Sequence, residues 1–492
     1  MEISNFGKMK WSNSNAIWLA VSLDREARQP LHAQLARHLR RFILQKRLAP
    51  GERLPASRVL AEELSVSRGT ITSAFDQLVS EGYIDGRPGS GVYVAKDIPD
   101  YNLSVQIDPT GRRKNPGPAA PIRPRPFETA VPDLNGFPHR EWARLLEQSW
   151  REPDAAKFAK PDPFGWGPLR EAIASHLGEW RGIRCSPTQI IITTGMSGSI
   201  ELITQTTLQV GDLVLTEDPG FPPLRNALQS NGMKCAAVPV DQLGFNLRSV
   251  TNRTLRRARA IAITPSRQFP LGMTLPLPRR LELLEWASER NGYIIEDDFD
   301  SEYRYQGQPL PALMALDDRQ RVIYVGSFSK VLLPTLRLGF VVMPEELIDA
   351  AAARVGRAAN HASMIAQPAL AEFMRAGGFA THVRRMRRLY SGRQKTFLKS
   401  LQANAGDLLL AEPASGGMHL VVTMASKLTK RMSDIEASTR AAKAGVTATA
   451  LSTYFEGPLT QEGLVLGYAG YEDTAIEEAV GQLAKALRQR TR

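Results

Sequence analysis

The sequence has little cysteine, since Cys185 and Cys235 are the only two among its 492 residues. Two thiols are too few for a disulfide framework or an all-cysteine metal site, and they suit a reducing compartment. No apolar run approaches the length of about 18 residues that a membrane-spanning helix needs. Residues 1–15 lack the apolar core of a signal peptide. These absences predict a cytoplasmic protein with no membrane span and no bound metal.

Short-period repeats and low-complexity tracts are also absent. The sequence is 43% hydrophobic and 23% charged, which is ordinary for a folded protein and excludes a wholly disordered chain. At about 150 residues per domain, its length predicts several domains. The net charge of +12 favours an anionic partner such as nucleic acid, but charge alone does not decide the matter.

The composition divides the chain into three segments. Residues 22–96 are rich in helix formers. Residues 97–126 contain seven prolines and almost no periodic apolar pattern, which is typical of a semi-extended linker. Residues 127–492 alternate short β-branched runs with amphipathic stretches. We therefore predict a small helical domain, a Pro-rich linker and a large α/β domain.

The large domain contains apolar runs that read as buried strands. Their near-continuous apolar character favours a mostly parallel sheet covered on both faces. These runs lie at residues 189–193, 212–216, 260–264, 293–296 and 321–325.

The N-terminal segment has the pattern of a helix-turn-helix. Pro30 can begin a first helix, while Ser57 and Ser67 can cap the second and third. A buried stripe on the third helix is predicted at Ile71, Phe75, Leu78 and Val79. Arg68, Gly69, Thr70, Thr72 and Ser73 are then left on its outer face. A helix of this kind lies in the major groove with its N-terminal residues at the base edges.

Residues 83–94 follow as a predicted β-hairpin with a Gly-rich tip. Arg87 and these glycines would let a guanidinium and the backbone approach phosphates or the minor groove. A plain helical bundle used for packing or dimerisation is the alternative interpretation. Residues 54–72, together with 78–83 and 89–91, resemble the winged helix-turn-helix of the GntR regulators. The resemblance implies binding of operator DNA, with contacts from Arg58, Ser67, Arg68, Thr70, Thr72, Arg87 and Gly89.

The strongest chemical motif in the large domain is Ser327-Phe-Ser-Lys330, followed by Arg337. A lysine amine can form a Schiff base with an aldehyde, while hydroxyls and a guanidinium can hold a phosphate. Pyridoxal 5′-phosphate (PLP) needs both functions, and it needs a carboxylate against its pyridine nitrogen. Asp297, at the end of a predicted strand, is placed for that role.

Two further elements fit the same cofactor. Residues 193–200 put Gly and Ser, including Ser197, at a helix N-terminus, where backbone N–H groups can bind a phosphate. Phe221 follows Asp218-Pro-Gly and is placed to stack on the pyridine ring. Each element alone has an ordinary explanation as a turn, a cap or a core residue. Their occurrence together, in order, predicts PLP.

This arrangement resembles fold-type-I aminotransferases across residues 127–485. With the winged helix, the whole chain resembles the MocR-type regulators, most of all at residues 264–272 and 296–305. The resemblance implies that Lys330 forms the Schiff base and Asp297 pairs with the pyridine nitrogen. It implies a phosphate site of Ser197, Ser327, Ser329 and Arg337. It also implies a homodimer.

Three departures from that pattern concern the ligand site. Phe299 stands where the family usually has Tyr, and Arg267 stands where His is common, adding a fixed cation that could hold an anionic effector or replace a hydrogen bond. No arginine occurs between Arg440 and Arg488, where aminotransferases usually carry one for the substrate carboxylate. Arg225, His419, Tyr454 and Tyr468 remain candidate ligand contacts.

The resulting hypothesis is a PLP-dependent transcriptional regulator. Its large domain senses PLP, an amino acid or another amine-bearing small molecule, and exchange of amines at the lysine is the most chemistry expected. One alternative is an active aminotransferase with an appended DNA-binding domain. A second is a DNA-binding protein whose large domain is only a dimerisation scaffold.

Overall fold

The computed structural model describes residues 21–27, 29–87, 90–98, 124–151, 162–307, 310–358 and 361–489. Contacts between residues divide the chain into two compact units, at residues 1–120 and 121–492. Most of the segment predicted as a linker lies outside the described residues. In the part of the chain that is described, no helix is both long and apolar enough to cross a lipid bilayer.

The first unit folds into three helices and a hairpin. The helices are α1 (Leu31–Leu44), α2 (Ser57–Glu63) and α3 (Arg68–Ser80), and the hairpin pairs β1 (Ile84–Arg87) with β2 (Gly91–Val94). Ser67 caps α3 as predicted, because its side chain accepts a hydrogen bond from the Thr70 N–H.

Two details of this unit differ from the prediction. Ser57 is the first residue of α2 rather than its cap, and no side chain caps that helix. Val79 is 44% exposed, and Ala74 takes its place in the buried stripe with Ile71, Phe75 and Leu78. Ala74 follows Ile71 by three residues and precedes Leu78 by four, so it lies on the same helical face.

The second unit is built on an eight-stranded sheet whose order is β3-β10-β9-β8-β7-β4-β5-β6. Its central pairs are parallel, while β10 runs antiparallel to both neighbours and β6 runs antiparallel to β5. The predicted fold class, α/β with a mostly parallel sheet, is confirmed. The strands are β3 (Ile190–Thr193), β4 (Leu213–Asp218), β5 (Lys234–Asp241), β6 (Gly244–Phe245), β7 (Ala258–Ile263), β8 (Tyr293–Asp298), β9 (Val322–Ser327) and β10 (Gly339–Val342).

Helices cover this sheet, and their apolar faces form the cores on its two sides. The helices between residues 139 and 358 are α4 (His139–Arg151), α5 (Gly167–Arg181), α6 (Met196–Thr207), α7 (Pro222–Ser230), α8 (Asn252–Arg257), α9 (Leu277–Arg290) and α10 (Ile348–Ala358). Each of the five apolar runs predicted as strands is a strand of this sheet. The carboxyl ends of its parallel strands meet at one edge, which is where ligands bind in open α/β sheets.

The C-terminal part packs helices on a second sheet, of order β11-β12-β14-β13. Its strands are β11 (Leu409–Leu410), β12 (His419–Met424), β13 (Thr449–Ala450) and β14 (Gly463–Gly467). The helices are α11 (Gln367–Arg375), α12 (Gly378–Ala405), α13 (Ser426–Thr429), α14 (Asp434–Lys443) and α15 (Asp473–Arg488). Strand β12 brings His419 against the loop that follows β7, where its Nε2 lies 2.9 Å from the carbonyl oxygen of Pro270.

Candidate functional site

Lys330 lies in the turn that follows β9. The turn is closed by the Leu332 N–H, which donates to the carbonyl of Phe328 at 2.9 Å. The carbonyl of Val331 accepts a hydrogen bond from the Tyr303 hydroxyl at 3.2 Å, and it lies 3.0 Å from Nε2 of His382 on α12. These contacts fix the backbone on which the lysine side chain is carried.

The Lys330 amine lies over two phenylalanine rings. Its Nζ is 4.8 Å from the centre of the Phe221 ring and 4.7 Å from that of Phe299. The two rings are nearly parallel, with an interplanar angle of 16°. Burial lowers the pKa of Lys330, although the charges of Asp297 and Asp300 oppose the shift. A lowered pKa favours the neutral amine, the form that attacks a carbonyl.

Asp297 is a buried carboxylate beside this turn. It lies on β8 opposite Val325 of β9, two residues before the end of that strand. Its Oδ2 atom has no hydrogen-bond partner among the described residues. Burial raises the pKa of Asp297 to about 7, while the charge of Lys330 opposes the rise. A buried acceptor without a partner costs free energy, so this atom is prepared for a donor that the chain itself does not supply.

The corner expected to bind a phosphate is formed by β3, β9 and β10. Gly339, the first residue of β10, lies opposite Ser327 on one side and Thr193 on the other. A Cβ atom at residue 339 would lie 2.9 Å from the Cα atom of Gly195, so a side chain there would separate the turns. The glycine therefore allows the turn after β3 to approach the end of β9.

Helix α6 begins at this corner. Its N-cap, Gly195, has a φ of 94°, and Ser197 is exposed in its first turn. Arg337 is exposed two residues before β10 and has a φ of 50°, a left-handed conformation that is uncommon outside glycine. Ser329 donates its N–H to the Ser327 hydroxyl at 3.3 Å. The free N–H groups of a helix N-terminus next to hydroxyls and a guanidinium can bind a phosphate.

Arg267 lies two residues before Phe269 and is already paired. Its Nη1 is 3.2 Å from Oδ2 of Asp300, and its Nη2 donates to the carbonyl of His419 at 2.9 Å. The Phe269 ring separates His419 from Phe299, with centroid distances of 4.9 and 5.6 Å. Burial, reinforced by the Arg267 charge, lowers the pKa of His419 well below its usual value.

A second buried ion pair lies at the end of β8. Arg181 of α5 contacts Oδ2 of Asp298 at 2.9 Å, and the Tyr324 hydroxyl donates to the same oxygen at 2.6 Å. Ser301 adds a third contact to it at 2.8 Å. Asp298 is therefore engaged by one ion pair and by two hydroxyl donors, whereas its neighbour Asp297 keeps an oxygen with no hydrogen-bond partner among the described residues.

Glu217 is a further buried carboxyl, on β4 close to Asp297. It accepts hydrogen bonds from the N–H of Thr264 at 3.1 Å and from its hydroxyl at 2.6 Å. Burial raises the pKa of Glu217 to about 8. The group is consequently neutral over most of the physiological range and does not add a charge beside Asp297.

Replacement of this carboxyl, Glu217→Gln, is expected to flatten the pH dependence of stability. The raised pKa means that stability is lost as pH rises from the usual value for Glu, where the unfolded chain ionises, to about 8, where the folded chain ionises as well. Between pH 7 and 9 the wild-type chain should lose on the order of 1 kcal/mol more stability than the variant. Urea unfolding at the two pH values measures the difference, and equal slopes for both chains would contradict it.

Residues around Phe221 are attached to the segment before β14. The Asp218 carboxylate accepts the N–H groups of Glu456 and Gly457, at 2.8 and 2.9 Å. Arg225, one turn into α7 from Phe221, pairs with Glu456 at 2.9 Å. The segment around Phe221, whose ring borders Lys330, is therefore attached both to β4 and to the residues before β14.

The predicted DNA contacts of the first unit lie mostly on its surface. Arg58, Ser67, Arg68, Thr72 and Arg87 are exposed, and Thr70 is half-buried. The Arg68 Nε lies 3.3 Å from the Ser57 hydroxyl, and the guanidinium of Arg87 lies over the Tyr93 ring at 4.6 Å. Gly89 lies outside the described residues.

These observations fit PLP. The cofactor needs a lysine, a carboxylate for the pyridine nitrogen, a flat apolar surface and a phosphate site. The unpartnered Asp297 oxygen, the Lys330 amine, the Phe221 ring and the N-terminus of α6 supply one group for each requirement. Phe299 has no hydroxyl, so it offers the cofactor an apolar contact only.

Sequence reasoning missed Asp300, Glu217 and Glu456. Asp300 and Glu456 each contact a candidate ligand arginine that lies far away along the chain. Glu217 looks like any residue at the end of a strand. The only signal in the sequence was that Asp300 follows Phe299 and that Glu217 precedes Asp218.

Residues 153–483 match the family described as aminotransferase class I and II, and residues 31–94 match the bacterial regulatory proteins of the gntR family. The chain is 29% identical to an α-aminoadipate aminotransferase, LysN from Thermus thermophilus, solved with N-(5′-phosphopyridoxyl)-L-leucine. That match covers 74% of this chain and 91% of LysN, with a TM-score of 0.65. A kynurenine aminotransferase from Pyrococcus horikoshii is 25% identical, with a TM-score of 0.66 and coverages of 74% and 90%.

A gntR-type DNA-binding domain joined to an aminotransferase-like domain defines a class of transcriptional regulator. The chain is 37% identical to the probable rhizopine catabolism regulatory protein MocR of Rhizobium meliloti, over 94% of this chain and 95% of that protein. It is 32% identical to the pyridoxine biosynthesis regulator PdxR of Corynebacterium glutamicum, over 95% and 98%. The chain belongs to the MocR-type regulators, so the predicted family and the regulator interpretation are confirmed.

Proposed function

We propose that this regulator holds PLP on Lys330 and changes its binding to operator DNA when an amine-bearing effector enters the site. The observation that carries the proposal is the buried, unpartnered oxygen of Asp297 beside the Lys330 turn. Bound PLP supplies an aldehyde that condenses reversibly with amines. The PLP-dependent aminotransferases that share this fold support the cofactor.

In this proposal the lysine is the group that the effector replaces. Lys330 would hold the cofactor through its side-chain amine, and an effector amine would compete with Lys330 for the same aldehyde. Burial lowers the pKa of Lys330, and this shift favours the neutral form of the amine, the form that can return to the aldehyde. The exchange switches the protein only if the effector favours one conformation over another.

We further propose that the protein acts in the cytoplasm as a homodimer. A regulator must reach the DNA, and a dimer presents two winged helices to paired half-sites. Catalytic transamination is not favoured, because the segment between Arg440 and Arg488 has no arginine for a substrate carboxylate.

The test is a titration of labelled operator DNA in the presence and absence of PLP and of candidate amines. Operator affinity is expected to change when PLP is added and again when an effector amine follows. Visible absorbance of the same samples reports the lysine-bound cofactor. Tight DNA binding with no response to PLP or any amine would instead favour a domain that serves only as a scaffold.

The variant Arg68→Ala is expected to weaken operator binding by about tenfold or more, because a base-edge contact contributes on the order of 1–3 kcal/mol. Arg68 is exposed in the first turn of α3, where the recognition helix meets bases. PLP binding should not change. Fluorescence anisotropy with the operator measures the effect, and Arg253→Ala, an exposed arginine on α8, is the charge-matched control.

Unchanged operator affinity for Arg68→Ala would show that α3 is not the recognition helix. An equal loss for Arg68→Ala and Arg253→Ala would attribute the effect to net charge. Measurements at two salt concentrations separate base contacts from phosphate contacts, because a lost phosphate contact lowers the salt slope.

A further inference from the structure

We propose that Ser57 is a positioning residue for DNA recognition, because its hydroxyl holds the Arg68 guanidinium in the orientation that reads a guanine base. The inference rests on the proposed binding of operator DNA through α3 and names a determinant of its base specificity. Its basis is a side-chain contact that joins the first residue of α2 to the first residue of α3.

The hydroxyl of Ser57 is not used to cap α2. The N-cap of this helix is Ala56, and no side-chain hydrogen bond is made there. The backbone itself closes the first turn, where the Leu60 N–H donates to the Ala56 carbonyl at 3.1 Å. The Ser57 hydroxyl is therefore available to a neighbouring element.

That neighbouring element is the first turn of α3. The Nε of Arg68 donates to the Ser57 hydroxyl at 3.3 Å. Ser57 is half-buried whereas Arg68 is exposed, so the hydroxyl is the more restricted of the two groups. A guanidinium carries N–H donors on Nε and on both Nη atoms. Because the contact with Ser57 uses Nε, both Nη atoms keep their donors for a ligand.

The position of Ser57 relative to α3 is fixed by the core and by the turn between the two helices. Leu60 of α2 lies in one buried apolar cluster with Ile71 of α3. In the turn, the Val66 N–H donates to the Ala61 carbonyl at 3.0 Å. These contacts hold the helices together, so the Ser57 hydroxyl is a fixed acceptor against which the arginine side chain can be ordered.

The hydroxyls of α3 near Arg68 are engaged within their own helix. The Ser67 hydroxyl accepts the Thr70 N–H at 3.1 Å and lies 2.9 Å from the Thr70 hydroxyl. The Thr72 hydroxyl donates to the carbonyl of Arg68 at 3.0 Å. Within the described part of the chain, the Arg68 guanidinium has no second hydrogen bond or ion pair, so its orientation depends on Ser57.

A guanidinium held through Nε presents its two Nη atoms side by side. Two parallel N–H donors match the O6 and N7 acceptors of guanine in the major groove, which is the commonest specific contact of arginine with a base. A freely rotating arginine loses side-chain entropy when it binds, whereas one already held by a neighbour loses less. The Ser57 hydroxyl therefore favours the guanine contact of Arg68 before DNA is bound.

The experiment uses the full-length protein with PLP and a labelled duplex that the wild-type chain selects from DNA of random sequence. Affinity is measured by fluorescence anisotropy for this duplex and for versions in which each G·C pair is changed in turn to A·T. The pair that Arg68 reads is the one whose change no longer weakens binding in Arg68→Ala.

Ser57→Ala is expected to weaken binding of the selected duplex by about threefold to tenfold and to reduce the preference for that same G·C pair. The salt slope should not change, because no charge is removed. Ser57→Thr keeps the hydroxyl and should behave as wild type. Ser80→Ala, at the opposite end of α3, is the control, because its hydroxyl donates to the carbonyl of Gln77 in its own helix.

The double variant separates positioning from a direct or purely structural role. In the Arg68→Ala background, Ser57→Ala should cause no further loss of affinity, because the side chain that it orders is gone. A further loss there would mean that Ser57 contacts DNA itself or supports the fold, and it would overturn the inference. A loss in Ser57→Thr equal to that in Ser57→Ala would overturn it too, since packing rather than the hydroxyl would then be responsible.

The failure of this inference can be told apart from the failure of the proposed function. If Arg68→Ala binds weakly but Ser57→Ala binds as tightly as wild type, the positioning role is wrong and recognition by α3 stands. If the wild-type chain selects no duplex, or if Arg68→Ala binds as tightly as wild type, recognition through Arg68 is itself wrong and the inference fails with it.

Discussion

The variant Lys330→Ala is expected to remove the visible absorption band of protein incubated with PLP. The methyl group of alanine cannot form a bond to the aldehyde, so any remaining cofactor is held by noncovalent contacts alone. The fold should survive, because the amine lies against the Phe221 and Phe299 rings and the substitution leaves both rings in place. Absorbance spectra after gel filtration measure the covalently retained cofactor.

Lys395→Ala is the matched control, since it removes an exposed lysine of α12 and should leave the band unchanged. Circular dichroism establishes that both variants are folded. Persistence of the band in Lys330→Ala would mean that another amine carries the cofactor. The operator response to added amines should disappear together with the band, because the effector then has no lysine to displace.

The sequence predicts the individual elements of this site well because each lies within a few residues of a strand end. Lys330 and Asp297 are recognisable because a hydroxyl-rich turn and an acidic strand end recur in order along an α/β pattern. The register of β8, β9 and β10 then brings them together. The carboxyl ends of parallel strands lie at one edge of a sheet, so local sequence patterns are sufficient to predict that Lys330 and Asp297 lie close together.

Pairings between distant residues were not predictable in the same way. The sequence marks Arg267 as an added fixed cation, but only the fold brings Asp300 and the carbonyl of His419 to it. The same holds for Arg225 and Glu456, which are more than 200 residues apart. Whether a guanidinium is free or neutralised decides which ligand it can bind, and that property depends on tertiary contacts.

Burial and charge have opposite effects on the pKa values of Lys330 and Asp297. Burial alone lowers the pKa of Lys330 and raises that of Asp297, and the attraction between the two opposes both shifts. The cofactor-free site therefore holds a carboxylate that is poorly solvated and lacks a hydrogen bond on one oxygen. A protonated pyridine nitrogen would relieve that cost, so the free energy of cofactor binding contains a contribution from strain already present in the site.

The variant Asp297→Asn should consequently weaken PLP binding and stabilise the cofactor-free chain. Loss of one partner of a buried charge pair costs about 3 kcal/mol or more, so the Kd for PLP should rise at least about 100-fold. The pKa of about 7 lies above the usual value for Asp, so the ionised carboxylate destabilises the fold more as pH rises towards 8. The neutral amide removes that cost, and the unfolding free energy at pH 8 should increase by on the order of 1 kcal/mol.

The opposite signs of the two effects distinguish this explanation from simple damage to the fold. If Asp297→Asn disrupted the site, the variant would lose both PLP affinity and stability. If the Asp297 carboxylate serves the pyridine nitrogen, the variant loses PLP affinity but not stability. PLP titration by absorbance and urea unfolding of the cofactor-free protein measure the two quantities. Asp349→Asn, at an exposed position on α10, is the control and should change neither. A variant that binds PLP as tightly as wild type would place the partner of the pyridine nitrogen elsewhere, because loss of the true partner could not leave that affinity intact.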